Sequence, residues 1–245
     1  MAGRLAAIIT ALAAISGSAI AAPRLVAGQQ GEMILPDLHL GSGDLARRQE
    51  KDYTYNWTGI DNQLDFKPSA SGYSVTFDYR AGSDPNTVGN FAVGRGWSEG
   101  TNRTITFQGS TNVSSTSGVT TVSVYGWMTS PRVEYWIVEY SNRPEWLASS
   151  AATRVGTVES DGAVYDVYRY ALVPLPDLGG EVTWQYHSVR RAASMRPGGG
   201  TVTTANHFNA WKALGLKLGS SMGFQILATE GYKAVGSSQY TVDGY

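Results

Sequence analysis

Cysteine does not occur anywhere in the 245 residues. Disulfides, thiolate metal ligands and cysteine nucleophiles are therefore excluded together. Charge is scarce as well. Asp, Glu, Lys and Arg make up 16% of the chain and sum to a net charge of -1, which leaves no basic footprint for nucleic acid or an anionic membrane. Histidine is limited to His39, His187 and His207. Their scatter fits no metal-ligand spacing, and each reads as a structural or exposed residue. What the chain does have is aromatic rings, at 11%, and 29 glycines. That profile suits a β-sheet protein with glycine-rich turns and aromatic surfaces, long enough for one large all-β domain or two small ones.

Residues 1–21 carry Arg4, a mostly apolar run from Leu5 to Ile15 and a small-residue end at Ser18-Ala19-Ile20-Ala21. They read as a secretory signal, too short for a membrane span. Residues 22–48 have no sustained period and end in the dibasic pair Arg47-Arg48, as a propeptide would, with a disordered linker as the other reading. Nothing repeats and no linker interrupts residues 49–245, which are expected to form a single domain. Asn-x-Ser/Thr sequons occur at Asn56, Asn102 and Asn112.

From Tyr53 onward the apolar period is two. Tyr73, Val75 and Phe77 alternate with polar neighbours, as do Ile105 and Phe107; in Ala163 to Tyr168 the two faces again separate by alternation. Gly, Asn, Ser and Pro clusters at 81–89, 109–118, 160–162 and 196–200 read as turns. Short strands at this spacing predict a sandwich or barrel. One helix is predicted over Asn206 to Leu218, where Phe208, Trp211, Leu214 and Leu218 fall at helical spacing and Gly215 or Gly219 can end it.

Two strand-borne glutamates stand out against the low charge. In Val122 to Tyr140 two strand candidates flank a short turn. Glu134 shares a face with Arg132, Trp136 and Val138, whereas Val133, Tyr135, Ile137 and Glu139 share the other. Near the C-terminus Phe224, Ile226, Ala228 and Glu230 line one strand face. A single strand glutamate is commonly a solvated one. A pair flanked by aromatics is what acetal hydrolysis requires: a proton donor to the leaving oxygen and a carboxylate that attacks or stabilises the oxocarbenium ion. Trp57, Trp97, Tyr125, Trp127, Tyr135, Trp136 and Tyr232 supply rings on which sugar faces stack, although any one of them also suits a core.

Taken in order, N-W-T (56–58), G-N-F-A-V-G-R-G-W (89–97), Y-G-W (125–127), P-R-V-E-Y-W-I-V-E (131–139), S-D-G-A-V-Y-D-V-Y (160–168), Q-Y-H-S-V-R (185–190), N-H-F-N-A-W (206–211) and A-T-E-G-Y (228–232) resemble glycoside hydrolase family 11, the small endo-β-1,4-xylanases. The resemblance implies an all-β jelly roll of two curved antiparallel sheets, one helix outside, and a thumb loop, here 171–180 with Pro176 at its tip, over a long cleft. It implies Glu134 as nucleophile and Glu230 as general acid/base of a retaining double displacement, with carboxyl groups roughly 5 to 5.5 Å apart. It also implies substrate contacts by Trp57 (stacking), Asn90 (beside the acid/base, and suited to neutral pH), Tyr125, Trp127, Trp136, Pro176, Gln185 and Phe224. The expected partner is xylan, for a secreted monomer without metal or other cofactor.

This sequence departs from the family pattern near the chemistry. Trp136 stands where a second tyrosine is usual, which predicts loss of a hydroxyl donor. Leu172 stands where an arginine is expected, with Arg169 as a substitute if the loop register shifts. His187 and Phe77 replace tryptophans and Phe224 a tyrosine. Two other functions therefore stay open: a xylan-binding protein with an idle pair, and a β-glucanase.

Overall fold

The computed structural model describes residues 53–58, 63–79, 90–114, 118–148, 152–171 and 183–244. The expected signal and propeptide stretches, the thumb residues Leu172 and Pro176, and the side chain of Trp57 lie outside the described residues. The alternating segments form strands β1 (Tyr53–Thr58), β2 (Leu64–Pro68), β3 (Gly72–Asp78), β4 (Asn90–Trp97), β5 (Thr104–Val113), β6 (Val119–Thr129) and β7 (Val133–Ser141). They continue as β8 (Thr153–Ser160), β9 (Ala163–Ala171), β10 (Trp184–Arg190), β11 (Gly199–Thr203), β12 (Ser221–Tyr232) and β13 (Val235–Gly244). Helix α1 spans Thr204–Ala213.

These strands build the two sheets of a β jelly roll. One has eight strands in the order β1-β4-β12-β6-β7-β10-β9-β8, the other five in the order β11-β5-β13-β3-β2. Pairing is antiparallel except between β7 and β10. That exception follows from topology. The chain leaves β7, forms the β8–β9 hairpin at the sheet edge, and returns through β10 into the gap beside β7, where antiparallel pairing with β9 fixes its direction. The β8–β9 turn has Asp161 at φ 49 and Gly162 at φ 74, a two-residue loop whose twist matches that of the strands.

The side-chain period of two sorts the eight-stranded sheet into two faces. Its inner face sends Phe91, Val93, Val122, Val124, Val133, Tyr135, Ile137 and Leu227 against Val75, Phe77, Ile105, Phe107, Tyr240 and Val242 of the five-stranded sheet. Each such side chain contributes about 1.5–3 kcal/mol by leaving water. Phe77 is thus a core residue, 4.7 Å from the Phe91 ring. The outer face gathers Tyr125, Trp136, Val138, Ile226 and Ala228, with Tyr53, Tyr55, Trp127 and Phe224 packed against them.

Two sequence expectations change. The 109–118 stretch is not one turn, because β5 continues through Gly109 to Val113. Gly109 is there because β13 passes so closely that a Cβ would overlap the Gln239 carbonyl oxygen. Helix α1 starts at Thr204 and stops at Ala213 rather than running to Leu218. Gly215, at φ 79, ends it. Its N–H donates to the Lys212 carbonyl at 3.0 Å and the Leu216 N–H to the Trp211 carbonyl at 2.9 Å, the paired bonds that close a helix on a left-handed residue. The helix docks on the inner face through Phe208, 5.2 Å from Tyr135, and through the Trp211 indole, which donates to Ser188 Oγ of β10 at 2.9 Å.

Candidate active site

Glu134 and Glu230 are brought onto the same face of the eight-stranded sheet. Glu134 lies on β7 and Glu230 on β12, with β6 between them. Both are buried, at 0% and 1% exposure. Alternation along β7 puts Trp136 beside Glu134, and its indole Nε1–H reaches over β6 to donate to Glu230 Oε1 at 2.7 Å. Tyr125, between the two on β6, donates its hydroxyl to Glu134 Oε1 at 2.7 Å. Gln185 of β10, directly opposite Glu134 in the parallel pair, donates its amide to Glu134 Oε2 at 2.9 Å. The Trp127 indole donates in turn to Tyr125 Oη at 2.9 Å. Each of these donors is placed by strand register.

Among the described residues the pair has only neutral donors. Burial raises the Glu134 carboxyl well above the ordinary carboxylate range, the bonds from Gln185 and Tyr125 lower it, and Glu230 raises it further. Burial pushes Glu230 up to about 8, against the lowering effect of the Trp136 bond. Among the described residues Glu230 Oε2 has no partner. With two donors on Glu134 and one on Glu230, Glu134 is the better anion of the coupled pair and Glu230 the better proton holder. Burial also raises the Tyr125 and Tyr55 phenols, with both carboxyl charges adding to the effect. Neither ring is a proton source near neutral pH.

The other expected site residues fall as follows. Asn90 is buried on β4, two residues from Ala92, which pairs with Glu230, and Trp136 is the side-chain hydrogen-bond partner of Glu230 among the described residues. Phe224 stacks on Tyr53 at 4.9 Å and Tyr55 at 5.1 Å and meets Tyr125 edge-on at 5.3 Å. Trp57 is positioned by its strand, opposite Ala92. Tyr53 and Tyr55 were not singled out from the sequence. The available signal was their alternation ahead of the N-W-T motif, which continues an aromatic face through β1.

At the departures one expectation gains a detail and another is corrected. Trp136 brings no hydroxyl, and its indole N–H is the group that donates to Glu230. Arg169 does not substitute for an arginine at 172. It pairs with Tyr186, on the face opposite Gln185, and lies over the Trp184 ring at 4.7 Å. His187 is buried behind Trp136, both nitrogens without a partner among the described residues, and burial lowers its pKa from 6.5 to about 3. The sequon residues Asn56, Asn102 and Asn112 are exposed. Among the described residues no group of three or more His, Asp or Glu side chains is arranged to hold a metal ion.

Comparison with known proteins places the chain and its fold in a family. The chain is 44% identical over 193 residues to "Endo-1,4-beta-xylanase 2" of Rhizopus oryzae, covering 78% of this chain and 82% of that one. It is 42% identical over 193 residues to the "Ethylene-inducing xylanase" of Penicillium digitatum, with the same coverage. A solved structure from a comparison of two major endo-1,4-beta-xylanases of Trichoderma reesei superposes with a TM-score of 0.67 at 39% identity, over 79% of this chain and 98% of that one. Residues 49–241 match the family described as "Glycosyl hydrolases family 11", and the chain belongs to that family.

Proposed function

We propose that the protein is a secreted endo-1,4-β-xylanase that cleaves internal xylosidic bonds with retention of configuration. The observation that carries this reading is the pair of buried carboxyls on one sheet face, Glu134 bonded by Tyr125 and Glu230 by Trp136, with no paired cation among the described residues. In the first step the Glu134 carboxylate attacks the anomeric carbon while Glu230 gives its proton to the departing glycosidic oxygen. In the second, Glu230 as carboxylate takes a proton from water, which displaces Glu134 from the sugar. Tyr125 and Gln185 orient Glu134 as an anion without neutralising it, since each donates a hydrogen bond and neither brings a charge. The ring face of Tyr53, Tyr55, Tyr125 and Phe224 supplies flat apolar contact for neighbouring sugars.

Secretion is supported by the apolar N-terminal stretch and by the family match, which begins at residue 49, directly after Arg47-Arg48. Mass spectrometry of the exported protein is expected to find its N-terminus near Gln49. An intact start at Ala22 would reject the propeptide. The mechanism is tested by trapping. Incubation with a 2-deoxy-2-fluoro-β-xylobioside that carries an activated leaving group is expected to add one fluoroxylobiosyl mass to the peptide containing Glu134. Addition elsewhere, or none with xylan still being hydrolysed, would reject Glu134 as nucleophile.

A further inference from the structure

We propose that Trp136 is a positioning residue that assigns the catalytic proton of Glu230 to one oxygen, Oε2. The inference rests on the role proposed above for Glu230. Its own basis is the chemistry of the indole. An indole N–H donates and never accepts, whereas a phenol does both. At 2.7 Å from Oε1 the bond has the length of a charge-assisted contact. Oε1 is therefore an acceptor in either protonation state of the acid. In a protonated carboxyl the carbonyl oxygen is the better acceptor, so Oε1 is the carbonyl and the hydroxyl is Oε2, the buried oxygen with no partner among the described residues. A tyrosine at 136 would allow the bond to run in either direction and leave two proton arrangements accessible.

The indole is also held still. It stacks on Tyr125 at 5.0 Å and 22° and on His187 at 4.5 Å and 29°, and His187 meets Tyr170 at 4.9 Å. Four successive strands, β6, β7, β10 and β9, thus each contribute one ring to a single row. The imidazole, its nitrogens buried and without a partner among the described residues, serves in that row as an uncharged ring. Among the described residues, the titratable groups that interact with Glu230 are Glu134 from β7, Tyr125 from β6, Tyr55 from β1 and, from the five-stranded sheet, Tyr73 of β3. During the first step the proton moves from Oε2 to the glycosidic oxygen as the bond to the anomeric carbon breaks. The indole bond to Oε1 persists, and the proton from water returns to Oε2 in the second step.

The test is a pH titration of the Trp136 indole ¹H–¹⁵N resonance in the intact protein. The resonance is assigned through Trp136→Phe, or through backbone and side-chain correlation in the wild type should that variant not fold. The expected result is a downfield resonance with a single large step that Glu230→Gln abolishes. A resonance that ignores pH, or a step that survives Glu230→Gln, overturns the inference. In the pH profile of kcat/KM on xylan, Trp136→Phe is expected to move the basic limb upward by about one pH unit, since the ionised acid loses its donor. Trp136→Tyr is expected to bring it back, and an unmoved limb in the Phe variant also overturns the inference. Failure of the proposed function has a separate signature: no xylan hydrolysis in a protein whose indole still titrates with Glu230.

Discussion

Strand β7 buries two glutamates, Glu134 and Glu139, each at 0% exposure, and surrounds them differently. Glu139 stands at the bulge where the β6 register slips from Ser123 to Val122. It accepts bonds from Tyr165 at 2.7 Å, Arg190 at 3.5 Å and Arg196 at 2.5 Å, and Arg190 in turn donates to the Tyr165 hydroxyl at 2.6 Å. Glu134, on the other face, receives among the described residues only the neutral donors Tyr125 and Gln185 and faces a second carboxyl. A buried carboxylate with cations is held as an anion and is inert, because removing its charge would strand the arginines. Burial raises the Glu139 carboxyl too, and Arg196, Tyr165 and Arg190 pull it back down; Glu134, without such cations among the described residues, is raised well above the ordinary range and remains available to bond with a carbon or a proton. Burial alone therefore does not mark a functional acid in this fold, whereas burial without a cation does.

The contrast is broken most severely by exchanging a carboxyl for an amide on each face. Glu134→Gln is expected to lower the rate of reducing-end release from xylan by about 10⁴-fold or more, as removal of a nucleophile does, while the melting curve stays cooperative. Retained turnover would dissolve the distinction. Arg190→Ala acts on the other face. It strips one cation from Glu139 and is expected to cost about 3–5 kcal/mol in a denaturant melt, with activity per folded molecule kept. A stable variant with low activity would reverse the assignment of the two faces.

Protonation sharpens the comparison further. His207 on α1 is buried edge-on against Tyr165 at 4.7 Å, and burial lowers its pKa from 6.5 to about 3. The unfolded chain protonates this imidazole below about pH 6.5 and the folded protein only near 3. The stability it carries is whole above 6.5 and is lost as the pH falls toward 3. Glu230, raised from 4.5 to about 8, has the opposite sense: its contribution is whole below 4.5 and is lost as the pH rises through 8. The two slopes oppose each other between these limits, so the histidine is read by difference. Relative to His207→Phe, the wild type is expected to lose about 2 kcal/mol between about pH 7 and about pH 5. A pH-independent difference would show that the imidazole titrates normally in the fold. The smallest effect is expected from Phe224→Ala, which opens the ring face without touching either carboxyl. KM for xylo-oligosaccharides should rise by about three- to tenfold with the pH profile unchanged. A shifted profile would mean that Phe224 acts on the acids.

Much of this was legible in the chain. A period of two placed Glu134 with Trp136 and Glu230 with Ala228, and the structure keeps those faces. Register between strands was not legible. Nothing local says that the Trp136 indole crosses β6 to Glu230, so only the lost hydroxyl was visible and not the N–H that replaces it. Arg169 was misread for the same reason, since its face is set by pairing with Tyr186 across β10. Gly109 looked like a turn because close approach of β13, a long-range fact, is what requires a glycine there. The ion pairs of Glu139 join residues 51 and 57 positions away, beyond any local pattern. The C-terminal end of α1, by contrast, was set locally, by Gly215.

The most direct measurement is the anomeric configuration of the first product, followed by ¹H NMR during early hydrolysis of xylan. Two carboxyls acting as nucleophile and acid/base require the β-anomer to appear first and the α-anomer to grow in only by mutarotation. If the α-anomer comes first, water attacks directly, and Glu134 is not the group that bonds to the sugar.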